Sequence, residues 1–109
     1  MITEIQFAND KVKEAFEKLI SKKYEEEQLY TWLIRAFNDI RMNPFCGIQI
    51  PKKLIPEYYI KKYKIKNLWK YNLPDAWRLI YSIEADQIKV ISIILEWLDH
   101  KSYERRFKY

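Results

Sequence analysis

The spacing of apolar residues predicts two consecutive amphipathic helices in the N-terminal half of the chain. Asn9 and Asp10 are good N-cap residues. The apolar positions that follow recur at the spacing of one helix face: Val12, Ala15, Phe16, Leu19 and Ile20. A second stripe of the same kind consists of Leu29, Trp32, Leu33, Ala36, Phe37 and Ile40. The pattern therefore predicts an α-hairpin.

The boundaries of these helices are also marked by residue type. We expect Lys22 and Lys23 to close the first helix, because cations are favoured at a helix C-terminus. The three glutamates at residues 25–27 suit the start of the second helix. Asn43 and Pro44 are expected to end it.

The C-terminal half changes to the two-residue alternation that is typical of β-strands. We predict strands over residues 68–73, 77–84 and 89–98. Alternation along the second strand places on one face Trp77, Leu79, Tyr81 and Ile83. The third strand is apolar on both faces, so we expect it to lie inside the sheet with a neighbour on each side.

The region between the helices and the strands is punctuated by proline and glycine. Residues 44–56 hold three of the four prolines and the single glycine, which predicts a loop with a short strand near 47–50. Pro56 suits the first turn of a short helix over residues 57–63, and the polar tail at 99–109 is expected to form one or two helical turns.

These elements predict one α+β domain over residues 1–109, with an N-terminal α-hairpin packed on a C-terminal antiparallel sheet. The helix stripe and the strand face should meet in one core that contains Trp32, Leu33, Phe37, Leu79, Tyr81, Ile91 and Ile93.

Positive charge is concentrated in two segments of a chain whose formal net charge is +5. Residues 52–71 carry seven lysines and one glutamate, and residues 100–109 sum to +3, whereas residues 74–99 sum to −3. This asymmetry points to a polyanionic partner such as nucleic acid, and solvated surface lysine is the alternative. The candidate contacts are Lys62, Lys64, Lys66, Lys70, Lys101, Arg105 and Arg106.

Other function classes are disfavoured by composition. Cys46 is the only cysteine and His100 the only histidine, which excludes an internal disulfide and argues against a zinc site. We expect no metal and no cofactor. The apolar stretches are too short for a membrane span, and no secretory leader is recognisable. The expected location is therefore the cytoplasm, without a membrane partner.

The polar tail contains groups suited to phosphate chemistry. His100 and Tyr103 would share a face of a helix, being three residues apart. An imidazole or a phenol can move a proton while neighbouring cations neutralise a phosphate. A solvated histidine and a packed tyrosine are the alternative interpretation.

Arg78 stands inside an otherwise apolar strand, and alternation directs its side chain away from Trp77 and Leu79. A buried guanidinium without a partner is costly, so its face must be open or must offer a carboxylate. An anion site and a cross-strand pair with Glu84 or Glu96 are both consistent with the sequence.

The succession of these segments resembles the RelE/ParE superfamily of bacterial and archaeal toxins. The matching segments are, in chain order, residues 43–45 at the end of the hairpin, then 68–73, 77–81 and 100–103. Each motif is short, and the resemblance lies in their order along nearly the whole chain. The sequence departs from the family at Glu96 and Trp97, where a basic residue is expected after the last strand.

The resemblance implies the RelE/ParE-like fold and, in the RelE-like branch, metal-independent cleavage of messenger RNA on the ribosome by a toxin with a cognate antitoxin. The family's strand arginine corresponds to Arg78, its late histidine and tyrosine to His100 and Tyr103, and a strand lysine loosely to Lys70. We expect Arg78, His100 and Tyr103 to be catalytic and to converge on one open sheet face, with Lys70 or Lys101 nearby.

Two other functions are compatible with the same resemblance. A ParE-like toxin would inhibit DNA gyrase by binding and would cleave nothing. A nucleic-acid-binding or protein-binding module on the same fold is the third possibility, because fold alone does not determine function.

Overall fold

Five strands form a single mixed sheet in a computed structural model, which describes residues 2–21 and 24–108. The strands are β1 (Ile2–Phe7), β2 (Ile48–Gln49), β3 (Trp69–Asn72), β4 (Arg78–Ala85) and β5 (Lys89–Leu98), in the order β1-β5-β4-β3-β2. Four helices accompany them in the described ranges: α1 (Asp10–Lys18), α2 (Tyr24–Met42), α3 (Glu57–Tyr63) and α4 (His100–Phe107). The α+β class is therefore confirmed.

The N-terminal strand β1 is a correction to the expected order of elements. It pairs in parallel with β5, from Ile2 opposite Lys89 to Phe7 opposite Ile94, so the sheet is not antiparallel throughout. The other neighbouring strands of the sheet pair antiparallel. Because β1 and β4 flank β5, the expected interior position of the third predicted strand is confirmed.

The two N-terminal helices contact each other through aromatic rings. The side chain of Asn9 accepts a hydrogen bond from the Val12 amide at 3.0 Å and caps α1. The ring of Phe16 lies 4.9 Å from that of Tyr30 and 5.2 Å from that of Phe37.

Among the residues described, no helix combines the length and apolar content that crossing a membrane requires. The expected closure of the first helix at Lys22 and Lys23 lies outside the described residues.

The sheet separates two cores, where one core was expected. The face towards α2 buries Leu29, Leu33, Ala36, Phe37, Ile40, Leu73, Leu79, Tyr81, Ile83, Val90 and Ile94. The face towards α3 and α4 buries Ile50, Tyr59, Leu68, Ile80, Leu95, Leu98, Tyr103 and Phe107. Helices thus cover both faces of the sheet, so an N-terminal hairpin on one face describes only half of the packing.

The expected placement of Ile91 and Ile93 in the α2 core is wrong. Ile93 packs against the opposite core and Ile91 is half-buried, whereas Val90 and Ile94 face α2. A strand that is apolar on both faces gives no signal for the direction of its side chains. The other expected core residues lie on the α2 side, with Trp32 half-buried at its margin.

Gly47 allows the loop after α2 to approach β3 and β4 closely. A Cβ atom at this residue would lie 2.5 Å from the Tyr81 hydroxyl and 2.7 Å from the Lys70 carbonyl oxygen. The Gly47 amide instead donates to the Tyr81 hydroxyl at 3.2 Å, and that hydroxyl donates to the Pro44 carbonyl at 2.8 Å. Burial raises the pKa of the Tyr81 hydroxyl, which keeps it a donor.

Substitution of two adjacent residues on α2 tests the assignment of its buried face. Leu33 is fully buried, and Leu33→Ala should lower the free energy of unfolding by about 2–5 kcal/mol because it leaves a cavity. Ile34 is 37% exposed, so Ile34→Ala should cost much less. Urea denaturation of both variants is the measurement, and equal losses would show that the face is wrongly assigned.

Candidate functional site

Tyr103 is held over the sheet because α4 begins directly after β5. The Asp99 side chain caps the helix by accepting a hydrogen bond from the Ser102 amide at 2.8 Å. That backbone hydrogen bond also lowers the pKa of Asp99 below its usual value. One turn separates Tyr103 from Phe107; their rings lie 4.5 Å apart, and both are buried against the sheet.

Two cations from neighbouring strands meet at the Tyr103 ring. Lys70 Nζ donates to the Tyr103 hydroxyl oxygen at 3.0 Å and lies 5.2 Å from the ring centroid. The guanidinium carbon of Arg78 also lies 5.2 Å from that centroid. Lys70 is opposite Ile80, and Arg78 is opposite Asn72, so the two cations are diagonal neighbours on one face. We call Lys70, Arg78 and Tyr103 the Tyr103 site.

A left-handed turn leads the chain into β4 and so positions Arg78. Asp75 and Ala76 have φ angles of 55° and 61°, a region that L-residues with a side chain adopt at a cost. The Leu73 amide donates to the Trp77 carbonyl at 2.9 Å and closes the turn. The strand therefore starts in a defined register, with Arg78 on the α4 side of the sheet.

Arg78 is half-buried, and its hydrogen bonding is incomplete. Its Nη1 donates to the carbonyl oxygen of Trp77 at 3.2 Å, while its buried Nε has no hydrogen-bond partner. In the described part of the chain, no carboxylate forms an ion pair with Arg78. Glu84 is exposed and Glu96 pairs elsewhere, so neither expected cross-strand pair is present. A guanidinium left in this way suits an anion.

The partner of Glu96 is Arg106 of α4. Arg106 Nε lies 3.2 Å from Glu96 Oε2, and its Nη2 donates to Oε1 at 3.3 Å. The fully buried Tyr59 donates its hydroxyl proton to Oε2 at 2.5 Å, and the guanidinium carbon of Arg106 lies 3.6 Å from the Tyr58 ring centroid. We call Tyr59, Glu96 and Arg106 the Glu96 clamp.

The clamp was not expected from the sequence. Arg106 was a candidate for nucleic-acid binding, but its charge is compensated by Glu96. Burial, followed by the nearby Glu96 carboxylate, raises the pKa of Tyr59, so its hydroxyl remains a donor. Tyr59 and Glu96 are 37 residues apart, and no local pattern pairs residues at that distance.

His100 does not join the Tyr103 site, which corrects the expected convergence. It is the first residue of α4, its side chain is 58% exposed, and its Nε2 pairs with Oε1 of Glu104 one turn later. Helical spacing explains this contact, because residues four apart lie on the same face. The structure thus brings together Arg78, Tyr103 and Lys70, and it leaves His100 outside them.

The remaining basic candidates lie on the surface. Lys101 and Arg105 are exposed on α4, and Arg105 Nη2 donates to the Ser102 hydroxyl at 3.3 Å. Exposed lysines also follow or end α3, namely Lys62, Lys64 and Lys66. Lys62 Nζ donates to the Tyr58 hydroxyl at 3.0 Å, which raises the pKa of the lysine. Where the structure describes the chain, no group of metal-binding side chains is found.

The site's chemistry rests on its own geometry. Comparisons of the chain with protein-family models, with curated proteins and with solved structures found no match. Two cations beside a phenol can neutralise an anion while the phenol exchanges a proton. The arrangement therefore suits a phosphate group bound by Lys70 and Arg78.

Removal of the charge on Glu96 tests the role of the clamp. Glu96→Gln keeps the shape of the side chain but leaves Arg106 without its anion. It should therefore lower the free energy of unfolding by about 1.5–3 kcal/mol. Glu84→Gln, at an exposed residue of β4, is the matched control and should change little. Urea denaturation measures both, and a Glu96→Gln chain as stable as the control would contradict the clamp.

Proposed function

We propose that this chain is a RelE-like toxin of a toxin–antitoxin pair, a ribosome-dependent and metal-independent endoribonuclease that cleaves messenger RNA. The observation that carries the proposal is the Tyr103 site, where Lys70 Nζ lies 3.0 Å from the phenol oxygen and Arg78 lies beside the ring. The order of the sequence motifs supports a RelE/ParE-like fold. The toxin would act in the cytoplasm, where messages are translated.

RNA supplies its own nucleophile for this reaction. The 2′-hydroxyl oxygen attacks the adjacent phosphorus, and the bond from phosphorus to the 5′-oxygen breaks. The products are a 2′,3′-cyclic phosphate and a 5′-hydroxyl. The protein must accept the proton of the 2′-hydroxyl, stabilise the crowded phosphate and return a proton to the leaving oxygen.

Each residue of the site has a role in this proposal. Arg78 holds the phosphate, since its guanidinium has no carboxylate partner among the described residues and can present two parallel N–H groups. Lys70 adds a second positive charge, and Tyr103 exchanges a proton at its hydroxyl. His100 lies outside the site and pairs with Glu104, so this proposal gives it no role.

The surface cations would attach the message before cleavage. Lys62, Lys64, Lys66, Lys101 and Arg105 are exposed, and each phosphate contact they make releases counterions from the RNA. Binding should accordingly weaken as salt increases. Arg106 contributes little to this attraction, because Glu96 already compensates its charge.

A toxin that only binds is the second candidate. Tyr103 is 3% exposed and His100 is paired with Glu104, so the groups needed for proton transfer are not jointly presented to a substrate. This observation favours a ParE-like protein that inhibits DNA gyrase without catalysis. Such a protein would leave translated messages intact while it blocks supercoiling.

Substitutions in the Tyr103 site separate the two candidates. Arg78→Ala and Tyr103→Phe should each reduce cleavage of a translated message by about 10²–10⁴-fold, because phosphate binding and proton transfer are lost. Tyr103→Phe retains the ring, so packing of α4 should persist. Lys13→Ala, which removes one exposed cation from α1, is the control and should cleave normally.

The measurement is the cleavage rate in a reconstituted translation reaction, with circular dichroism to show that each variant is folded. Cleavage by both variants at the rate of the unaltered chain would remove the Tyr103 site from catalysis. Inhibition of gyrase by a chain that never cuts a message would establish the second candidate.

The proposal includes an antitoxin that covers the basic face. We expect a small acidic protein encoded beside this chain to co-purify with it and to abolish cleavage at a one-to-one ratio. Mixing the two purified proteins in the translation reaction is the test. A chain that is harmless when expressed alone, and that has no such partner, would contradict a toxin–antitoxin function.

A further inference from the structure

A cavity of about 340 Å³ lies between the start of α3 and the end of α4. Its lining includes the apolar residues Leu54, Pro56 and Phe107 and the cations Arg105 and Lys108. A second cavity of about 270 Å³ continues along α4 past Leu98 and Ser102 and shares Arg105 with the first. We call the first cavity the α3–α4 cleft.

The charge of the cleft is positive. In the part of the chain that the structure describes, Arg105 and Lys108 form no ion pair with a carboxylate. The one acidic residue of the lining, Glu57, is engaged with Lys61 at 3.6 Å. Arg106 also borders the cleft, but Glu96 compensates its charge. Arg105 and Lys108 are therefore the cations of the lining that an anionic ligand could pair with.

An exposed apolar side chain also lines the cleft. Leu54 is 52% exposed and lines the cleft together with Pro56. The cavity volume lies at the lower end of the range for small-molecule sites, about 300–1,000 Å³. A flat apolar group of the size of a nucleobase is matched to this space, and cations at the rim are matched to phosphates.

We infer that the α3–α4 cleft holds one unstacked base of single-stranded RNA, with the adjoining phosphates bound by Arg105 and Lys108. The inference rests on the proposed function, since it gives a second contact for the same substrate. The cleft and the Tyr103 site both include residues of α4, which has 8 residues and is therefore about 12 Å long. A few nucleotides of one strand therefore span both.

The geometry favours RNA over an acidic peptide as the occupant. Both would satisfy the two cations, but Leu54 and Pro56 in the lining would meet a peptide carboxylate unfavourably. A base has apolar faces and carries its charge outside itself, on the phosphates.

Binding of two labelled ligands tests the inference without ribosomes and without cleavage. The first is a short single-stranded RNA, and the second is the same ribose-phosphate chain without bases. Fluorescence anisotropy should show that the full chain prefers the RNA with bases by about fivefold or more. Leu54→Ala should remove this preference, whereas Ile60→Ala, at an exposed apolar residue of α3 outside the cleft, should keep it.

The salt dependence of RNA binding tests the role of the cations in the cleft. Arg105→Ala should reduce the slope of log affinity against log salt by about 0.7 with either ligand, which corresponds to one lost phosphate contact. Lys13→Ala removes an equal charge from α1 and should leave the slope unchanged. Both substitutions are at exposed residues, so folding should be retained.

Equal affinity of the unaltered chain for the two ligands would overturn the inference, as would a base preference that survives Leu54→Ala. Binding of poly-glutamate that depends on Leu54, with RNA binding unaffected, would assign the cleft to an acidic peptide instead. If the unaltered chain cuts no message but prefers RNA with bases, and Leu54→Ala removes that preference, the cleft is supported and the nuclease is refuted. If the unaltered chain cleaves messages but shows no preference for bases, the nuclease is supported and the cleft is refuted.

Discussion

An extra residue in β5 is the constraint on which the candidate site depends. Ile80 is opposite Glu96 while Tyr81 is opposite Ile94, so Leu95 has no partner on β4 and forms a β-bulge. The bulge changes the phase of the strand: Leu95 lies in the α4-side core, and Glu96 also turns to that side, where it meets Tyr59 and Arg106. Without it, alternation would direct Glu96 towards α2.

The two arginines on this side of the sheet differ in how their charge is compensated. Arg106 pairs with the Glu96 carboxylate of β5 and lies over the Tyr58 ring of α3, so it holds α4 in place. Arg78 has one backbone carbonyl and the face of the Tyr103 ring, and no carboxylate among the described residues pairs with it. The first arrangement stabilises the fold, whereas the second leaves a guanidinium that is suited to binding an anion. Because the clamp fixes α4, it also keeps Tyr103 within reach of Lys70.

Much of the fold could be predicted from the periodicity of apolar residues. Where that prediction failed, the failure has a physical reason. The α2 stripe and the β4 face were readable because each is apolar on one side only, and the same alternation directed Arg78 away from Leu79. The first strand was missed because a parallel edge strand has no turn that links it to its neighbour. In the site, Tyr103 and Lys70 were placed near Arg78 by the resemblance. The position of His100 was not predicted, because it pairs with Glu104 one helical turn away. The Glu96 clamp was not predicted either, because no local sequence pattern connects Glu96 with Tyr59 and Arg106.

The role proposed for the Tyr103 site is to promote attack by the 2′-hydroxyl of a translated message. Its most direct test replaces the nucleotide at a mapped cut with its 2′-deoxy form and compares that message with the unmodified one on ribosomes. We predict that the unmodified message yields a 2′,3′-cyclic phosphate and a 5′-hydroxyl at the cut, and that the deoxy position stays intact. Equal cleavage of both messages, or ends of another chemistry, would contradict the account.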